Sequence, residues 1–131
     1  MIYLDSSLSG LQASSAHLVN SANNTANMHS ISSIIRGEHS PKPYQPTDIV
    51  QSSLEPSNGV RTSSMVRSTA ELTVYDPESF MADEDGMVVY PNVSAEDETV
   101  QTMLAKQSFF SNLRSLEASL DMTDSLMDIA A

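Results

Sequence analysis

Apolar residues recur with helical spacing at both ends of this 131-residue chain and alternate like strands between them. In the first thirty residues Leu4, Leu8, Leu11, Ser15, Leu18, Ala22 and Ala26 step by four, three, four, three, four and four. That is close to a heptad stripe, and it tapers to small residues. Residues 6 to 35 contain no Asp, Glu, Lys or Arg. A solvated helix usually carries charged pairs, so both faces are expected to lie against protein in the working state.

The last third repeats the pattern more strongly. Ser94 suits an N-cap, and Asp97 with Glu98 suits the positive end of a helix dipole. Val100, Met103, Leu104, Phe109, Phe110, Leu113, Leu116, Leu120 and Met127 follow, with Phe109-Leu113-Leu116-Leu120 as the best run. No Gly or Pro interrupts residues 92 to 131. A helix from about 95 to 128 would span roughly 50 Å at ~1.5 Å per residue. A domain of this size does not cover such a length alone, so part of the stripe requires a partner.

The middle reads differently. Gly37, Pro41, Pro43 and Pro46 mark an extended loop, since their prolines rule out regular helix. Residues 48–75 are rich in Val, Ser and Thr, with alternation at Leu72-Thr73-Val74-Tyr75. Asn58-Gly59 is a hairpin turn signal, and Asp85-Gly86 precedes Met87-Val88-Val89-Tyr90 as another. The expected order is helix (1–30), extended loop and small β region (31–93), helix (94–131). The fold class is α+β. The terminal helices pair as an antiparallel coiled coil, with a small β-hairpin-rich middle segment, a sheet of three or four strands.

Three Phe, four Tyr and no Trp predict a thin core. The net charge of −11 is lopsided: residues 1–75 hold five acids and four bases, residues 76–131 twelve acids and two bases. With no basic patch, nucleic-acid binding is not expected. No apolar run approaches the ~20 residues of a membrane span, so no direct membrane insertion is expected. The start, Met1-Ile2-Tyr3-Leu4-Asp5, has an acid where a secretory signal wants Lys or Arg. Export, if it occurs, is expected to proceed without a cleaved signal peptide.

Candidate chemistry is sparse. The acids Asp76, Glu78, Asp83, Glu84 and Asp85 lack the spacing of a calcium-binding EF-hand loop and read as a solvated hairpin tip. His17, His29 and His39 are ten or more residues apart, without ligand-like spacing. No cysteine, Gly-rich phosphate loop or Gly-x-Ser-x-Gly elbow is present. No catalytic, cofactor-binding or metal-ligating residue is assigned, and neither a cofactor nor a small-molecule substrate is expected. Asp121, Asp124 and Asp128 are unfavourable to a helix C-terminal dipole. Two readings stand: a frayed exposed tail, or a site for a basic surface on a neighbour.

Two segments resemble the flagellar basal-body rod protein family, and within it the small proximal-rod subunit. The first is Ala22-Asn23-Asn24-Thr25-Ala26-Asn27-Met28-His29-Ser30, similar to the family's Ala-x-Asn-apolar-Ala-Asn-x-x-Thr/Ser signature, with Gly10-Leu11-Gln12-Ala13 upstream. The second is Tyr75-Asp76-Pro77, Ala82-Asp83, Gly86-Met87-Val88 and Pro91-Asn92-Val93, continued by Glu98, Val100, Ala105, Phe109 and Asn112 at the family's spacing. Thr25, Ser94, Gln107 and Phe109 depart from the usual residues.

The resemblance implies terminal helices that pack beside those of neighbours to form the inner tube of a hollow drive shaft for motility. The assembly interface it points to comprises Leu8, Leu11, Leu18, Ala22, Asn24, Ala26, Asn27, Pro91, Asn92, Val93, Val100, Phe109, Asn112, Leu113, Leu116 and Leu120. The Asn amides are expected to bond backbone on a neighbouring chain, each bond being worth about 0.5–1.5 kcal/mol net. Implied partners are copies of the chain, other rod subunits, and the rod-base and MS-ring components. The implied location is the periplasm-spanning rod, reached through the flagellar type III apparatus. A soluble helical-hairpin adaptor or export chaperone is the competing reading. Such a protein folds stably alone, whereas a rod subunit gains helicity on assembly.

Overall fold

The computed structural model describes residues 2–34, 43–55 and 59–130. In chain order they form α1 (Ile2–Asn27), β1 (Thr47–Leu54), β2 (Gly59–Val66), β3 (Glu71–Tyr75), β4 (Met87–Pro91) and α2 (Ala95–Ala130). The class is α+β, as the hydrophobic pattern predicts. Ser94 caps α2 through its hydroxyl, which accepts the Asp97 N–H at 3.2 Å, and Glu96, Asp97 and Glu98 fill the first turn.

The two helices pair antiparallel. Ser7 donates to the Ser115 hydroxyl at 3.4 Å, Gly10 lies against Asn112, and Asn24 donates to Glu98 at 2.9 Å. Each step forward along α1 is thus matched by an equal step back along α2. The face of α1 in this seam is Ser7, Gly10, Ser14, His17, Ser21 and Asn24, a heptad pattern of small and polar residues. Opposite run Glu98, Thr102, Ala105, Phe109, Asn112, Leu116 and Ser119, all buried or half-buried positions of α2.

This corrects one expectation. The leucine stripe of α1 is not the pairing face: it lies one residue further along, about 100° around the helix at 3.6 residues per turn. Small side chains at the contact let the helix axes approach closely. A Cβ on Gly10 would meet the Asn112 amide at 2.7 Å. The Ser14 hydroxyl needs no partner across the seam: it donates to the Gly10 carbonyl one turn back at 2.9 Å. Leu8, Val19, Val100, Met103, Leu104 and Phe110 are left exposed, and the buried hydrophobic residues among those described are only Ala13, Val88, Val89 and Ala105.

The β region also departs from the expected single sheet. It is two separate antiparallel hairpins, β1–β2 and β3–β4. Between them, the Arg67 N–H donates to the Pro46 carbonyl and the Ala70 carbonyl accepts the Asn92 N–H, both at 2.9 Å. Those groups are therefore not free to ladder β2 onto β3. The first hairpin, with Thr47 opposite Val66 and Leu54 opposite Gly59, runs along α1, where the Val60 N–H donates to the Ser9 hydroxyl at 3.1 Å. The second buries Val88 and Val89 and exchanges two 3.0 Å backbone bonds between Ser32 and Val89.

Of the turn signals, Asp85-Gly86 enters β4 with Gly86 at φ 73°, a left-handed conformation that suits glycine. Asn58 lies outside the described residues, as do Gly37, Pro41 and His39. Asp83 holds the second turn, its carboxylate accepting the N–H groups of Asp85 and Met87 at 3.0 and 2.8 Å. Neither helix is long and apolar enough to cross a membrane.

Candidate functional site

The residues that carry the family resemblance separate into a buried node and an outward helical face. At the node, Asn24 is fully buried. Its Oδ1 accepts the Tyr44 hydroxyl at 2.8 Å and the Thr47 N–H at 3.2 Å. Its Nδ2 lies 2.9 Å from both the Thr47 carbonyl and Glu98 Oε1. Asn20 adds a second pair of bonds to Thr47, both 2.6 Å. One turn of α1 thereby mimics a strand edge for the start of β1.

Glu98 is 2 % exposed, and a buried carboxylate requires compensation. It receives Arg67 Nη2 at 3.1 Å, while the same guanidinium binds Asp48 at 2.7 Å and its Nη1 donates to the Asn92 carbonyl at 3.1 Å. The hydrogen bond to Asp48 holds the Arg67 pKa above its ordinary value against the opposing effect of burial, and Glu98 adds to the rise. Burial pushes the Tyr44 phenol up, Glu98's charge adding and Arg67's subtracting. Asn92 in turn donates its amide to the Thr69 carbonyl at 2.9 Å, and Pro91 beside it is buried. The node therefore ties α1, both hairpins and the start of α2 into one unit.

Beside it opens a polar groove of about 620 Å³, lined among others by His17, Asp48, Arg67, Asp97 and Gln101. Its guanidinium is already held by two carboxylates, which leaves it no free cation to grip an anion. Among the described residues no group of three or more His, Asp or Glu is placed to hold a metal ion.

The sixteen expected interface residues fall as follows. Asn24, Pro91 and Asn92 belong to the node, and Val93 follows them half-buried. Asn24 bonds backbone of its own chain, at Thr47. Asn27 bonds within its own helix, to the Asn23 carbonyl at 2.8 Å. Leu11, Leu18, Phe109, Asn112, Leu113 and Leu116 are half-buried along the helix pair. Leu8, Ala22, Ala26, Val100 and Leu120 face outward.

Sequence reasoning missed Tyr44, Thr47, Asp48, Arg67 and Asn20. The available signal was that only two bases, Arg61 and Arg67, stand between residues 43 and 94, where a buried Glu98 must find its cation.

Comparison with known proteins bears on the same segments. No protein-family model matches the chain. The flagellar basal-body rod protein FlgC of Salmonella typhimurium is 34% identical over 113 residues, covering 82% of this chain and 81% of the relative. The FlgC protein of Salmonella typhi matches to the same extent. With its terminal helix pair and node in place, and with that identity over most of its length, the chain belongs to the flagellar basal-body rod protein family.

Proposed function

We propose that this chain is a FlgC-type structural subunit of the proximal rod, polymerising through its terminal helices into the hollow shaft that drives motility. The observation that carries the reading is the outer face of the helix pair. Leu8, Val19, Val100, Met103, Leu104 and Phe110 are all exposed although each helix has already found its intramolecular partner. Apolar surface of that extent marks a site of association. A heterologous contact that does not close on itself generates a helical filament, which is what a rod requires.

The node gives the subunit a fixed register of α1 on α2, so that every copy offers the same outer face. Partners in this reading are other copies, other rod subunits, and the rod-base and MS-ring components. Export through the flagellar type III apparatus completes it.

The test separates folding from assembly. Met103 and Phe110 are a heptad apart on one exposed flank of α2, so M103E/F110E perturbs the isolated fold little, as exposed substitutions generally do. In a strain lacking the native gene, this variant is expected to be expressed and exported yet to yield no isolable basal bodies and no motility. Normal motility would refute the reading. An adaptor or chaperone would instead be recovered in the soluble fraction and be absent from purified basal bodies.

A further inference from the structure

Residues 63–66 of β2 and 72–75 of β3 are exposed on both faces of their strands, where a sheet normally packs at least one face on a core. Much of that surface is apolar: Met65 is 60% exposed and Leu72 51%, with Val66, Val74 and Tyr75 beside them. Both strands also keep an open edge. In an antiparallel pair the backbone groups of successive residues point alternately toward and away from the partner strand. In β3, the Asp76 N–H on the Gly86 carbonyl and the Asn92 N–H on the Ala70 carbonyl turn the even residues toward β4. Thr73 and Tyr75 therefore point theirs outward. In β2, the Arg67 N–H on the Pro46 carbonyl turns the odd residues toward β1, so Thr62, Ser64 and Val66 point outward. Among the described residues, none of these five has a partner for its outward backbone groups. An open apolar edge of this kind is a template for another strand.

The charges identify which strand. β2 carries Arg61 and no acid, whereas β3, β4 and the loop between them hold six acids and no base. Among the described residues neither the Arg61 nor the Asp76 side chain has an ion-pair partner. Within one chain β2 and β3 do not pair, because the link between them is tied to Pro46 and Asn92. The same strands of two copies are under no such restraint. One antiparallel register engages every outward residue of both: Val66, Ser64 and Thr62 stand opposite Glu71, Thr73 and Tyr75. That register also sets Met65 opposite Leu72, Ser63 opposite Val74, and Arg61 opposite Asp76, all on one face.

We propose that β2 of one subunit pairs in this register with β3 of the next copy, a contact that rests on the rod-subunit reading and adds a strand ladder to its helical faces. It joins two different surfaces, so it is heterologous and propagates head to tail along an open filament.

Cysteine pairs test the register. Met65→Cys and Leu72→Cys are co-expressed as two single variants in a strain lacking the native gene, so that no disulfide between them is intramolecular. A pair of this type brings Cα atoms to about 4.5 Å, within the reach of a disulfide. Oxidised basal bodies are expected to yield a cross-linked dimer absent from either variant alone. Ser64→Cys with Leu72→Cys, on opposite faces of the ladder, should yield roughly fivefold less. Basal bodies that contain both variants but no such dimer overturn the proposal, as does equal cross-linking of the opposite-face pair. Either result leaves the rod-subunit reading standing, since that reading falls instead with normal motility of M103E/F110E. Charge reversal gives a second measurement that needs no cysteine. R61E and D76R are each expected to halve swarm diameter at least, and R61E/D76R to restore it. A double variant no better than the single ones overturns the pairing.

Discussion

Replacing Asn24 by Ala tests how the helix pair is held. The side chain is fully buried and serves the Tyr44 hydroxyl, both backbone groups of Thr47, and Glu98. Truncation does not orphan all of these. The Thr47 carbonyl keeps Asn20 at 2.6 Å and Glu98 keeps Arg67 at 3.1 Å. The Thr47 N–H loses its acceptor, and an unsatisfied buried donor costs about 1–3 kcal/mol. The Tyr44 hydroxyl, half-buried, can turn toward water at lower cost. With the small cavity added, we expect a loss of about 2–4 kcal/mol. A small domain is stable by only ~5–15 kcal/mol in total. Urea unfolding followed by circular dichroism measures the loss. Asn24→Asp is the companion variant: it keeps an acceptor for Thr47 but sets a second carboxylate beside Glu98, so its deficit should shrink as the pH falls toward the ordinary carboxylate range near ~4. A midpoint shift worth less than about 0.5 kcal/mol for Asn24→Ala, the scatter of ordinary surface substitutions, would refute the node's role.

Three further outcomes follow from the same geometry. Gly10→Ala alone should fail to deliver the ~1 kcal/mol that Ala gains over Gly in a helix, because its Cβ would meet Asn112 at 2.7 Å; G10A/N112A should recover it in urea melts. The folded-state pKa of Tyr44 is raised by burial and then by Glu98, so its contribution is fully present below the ordinary phenol value near ~10. It is lost as the pH rises through the raised value, and stability measured against pH should fall less steeply there in Tyr44→Phe than in the wild type. Hydrogen exchange of the purified chain should be slowest at Val88, Val89 and the α1 turn around Asn24, and fastest in α2 beyond residue 120, where every described side chain is exposed; uniform protection along α2 would contradict the assigned register.

What the sequence made legible was local. The spacing of Leu, Phe and Met announces both helices, Ser94 marks the start of α2, and Asp85-Gly86 marks the entry to β4. The seam was hidden because it is built of Ser, Gly and Asn, which hydrophobic periodicity does not register. The leucines, one position away, drew the reading to the wrong face of α1. The node was hidden because it is non-local: Arg67 and Glu98 are 31 residues apart, Asn24 and Glu98 74. The assignment of Glu98 to the helix dipole was correct as far as one element can show, but its burial depends on three others. Asn24 stood out only through the family signature, whose reason here is intramolecular: it fixes the loop to the helix. The separation of the hairpins depends on which backbone groups Pro46 and Asn92 occupy, and no propensity encodes that.

The absence of cysteine makes the central claim, that neighbouring subunits cover the outer helical faces, directly measurable. M103C and F110C, with E84C at the exposed hairpin tip as a reference, can each be treated with a maleimide in the purified chain and in isolated basal bodies. Both helix positions should react as readily as the reference in the purified chain and be strongly protected in basal bodies, while the reference keeps a larger share of its reactivity. Undiminished labelling at Met103→Cys and Phe110→Cys in intact basal bodies would contradict the account.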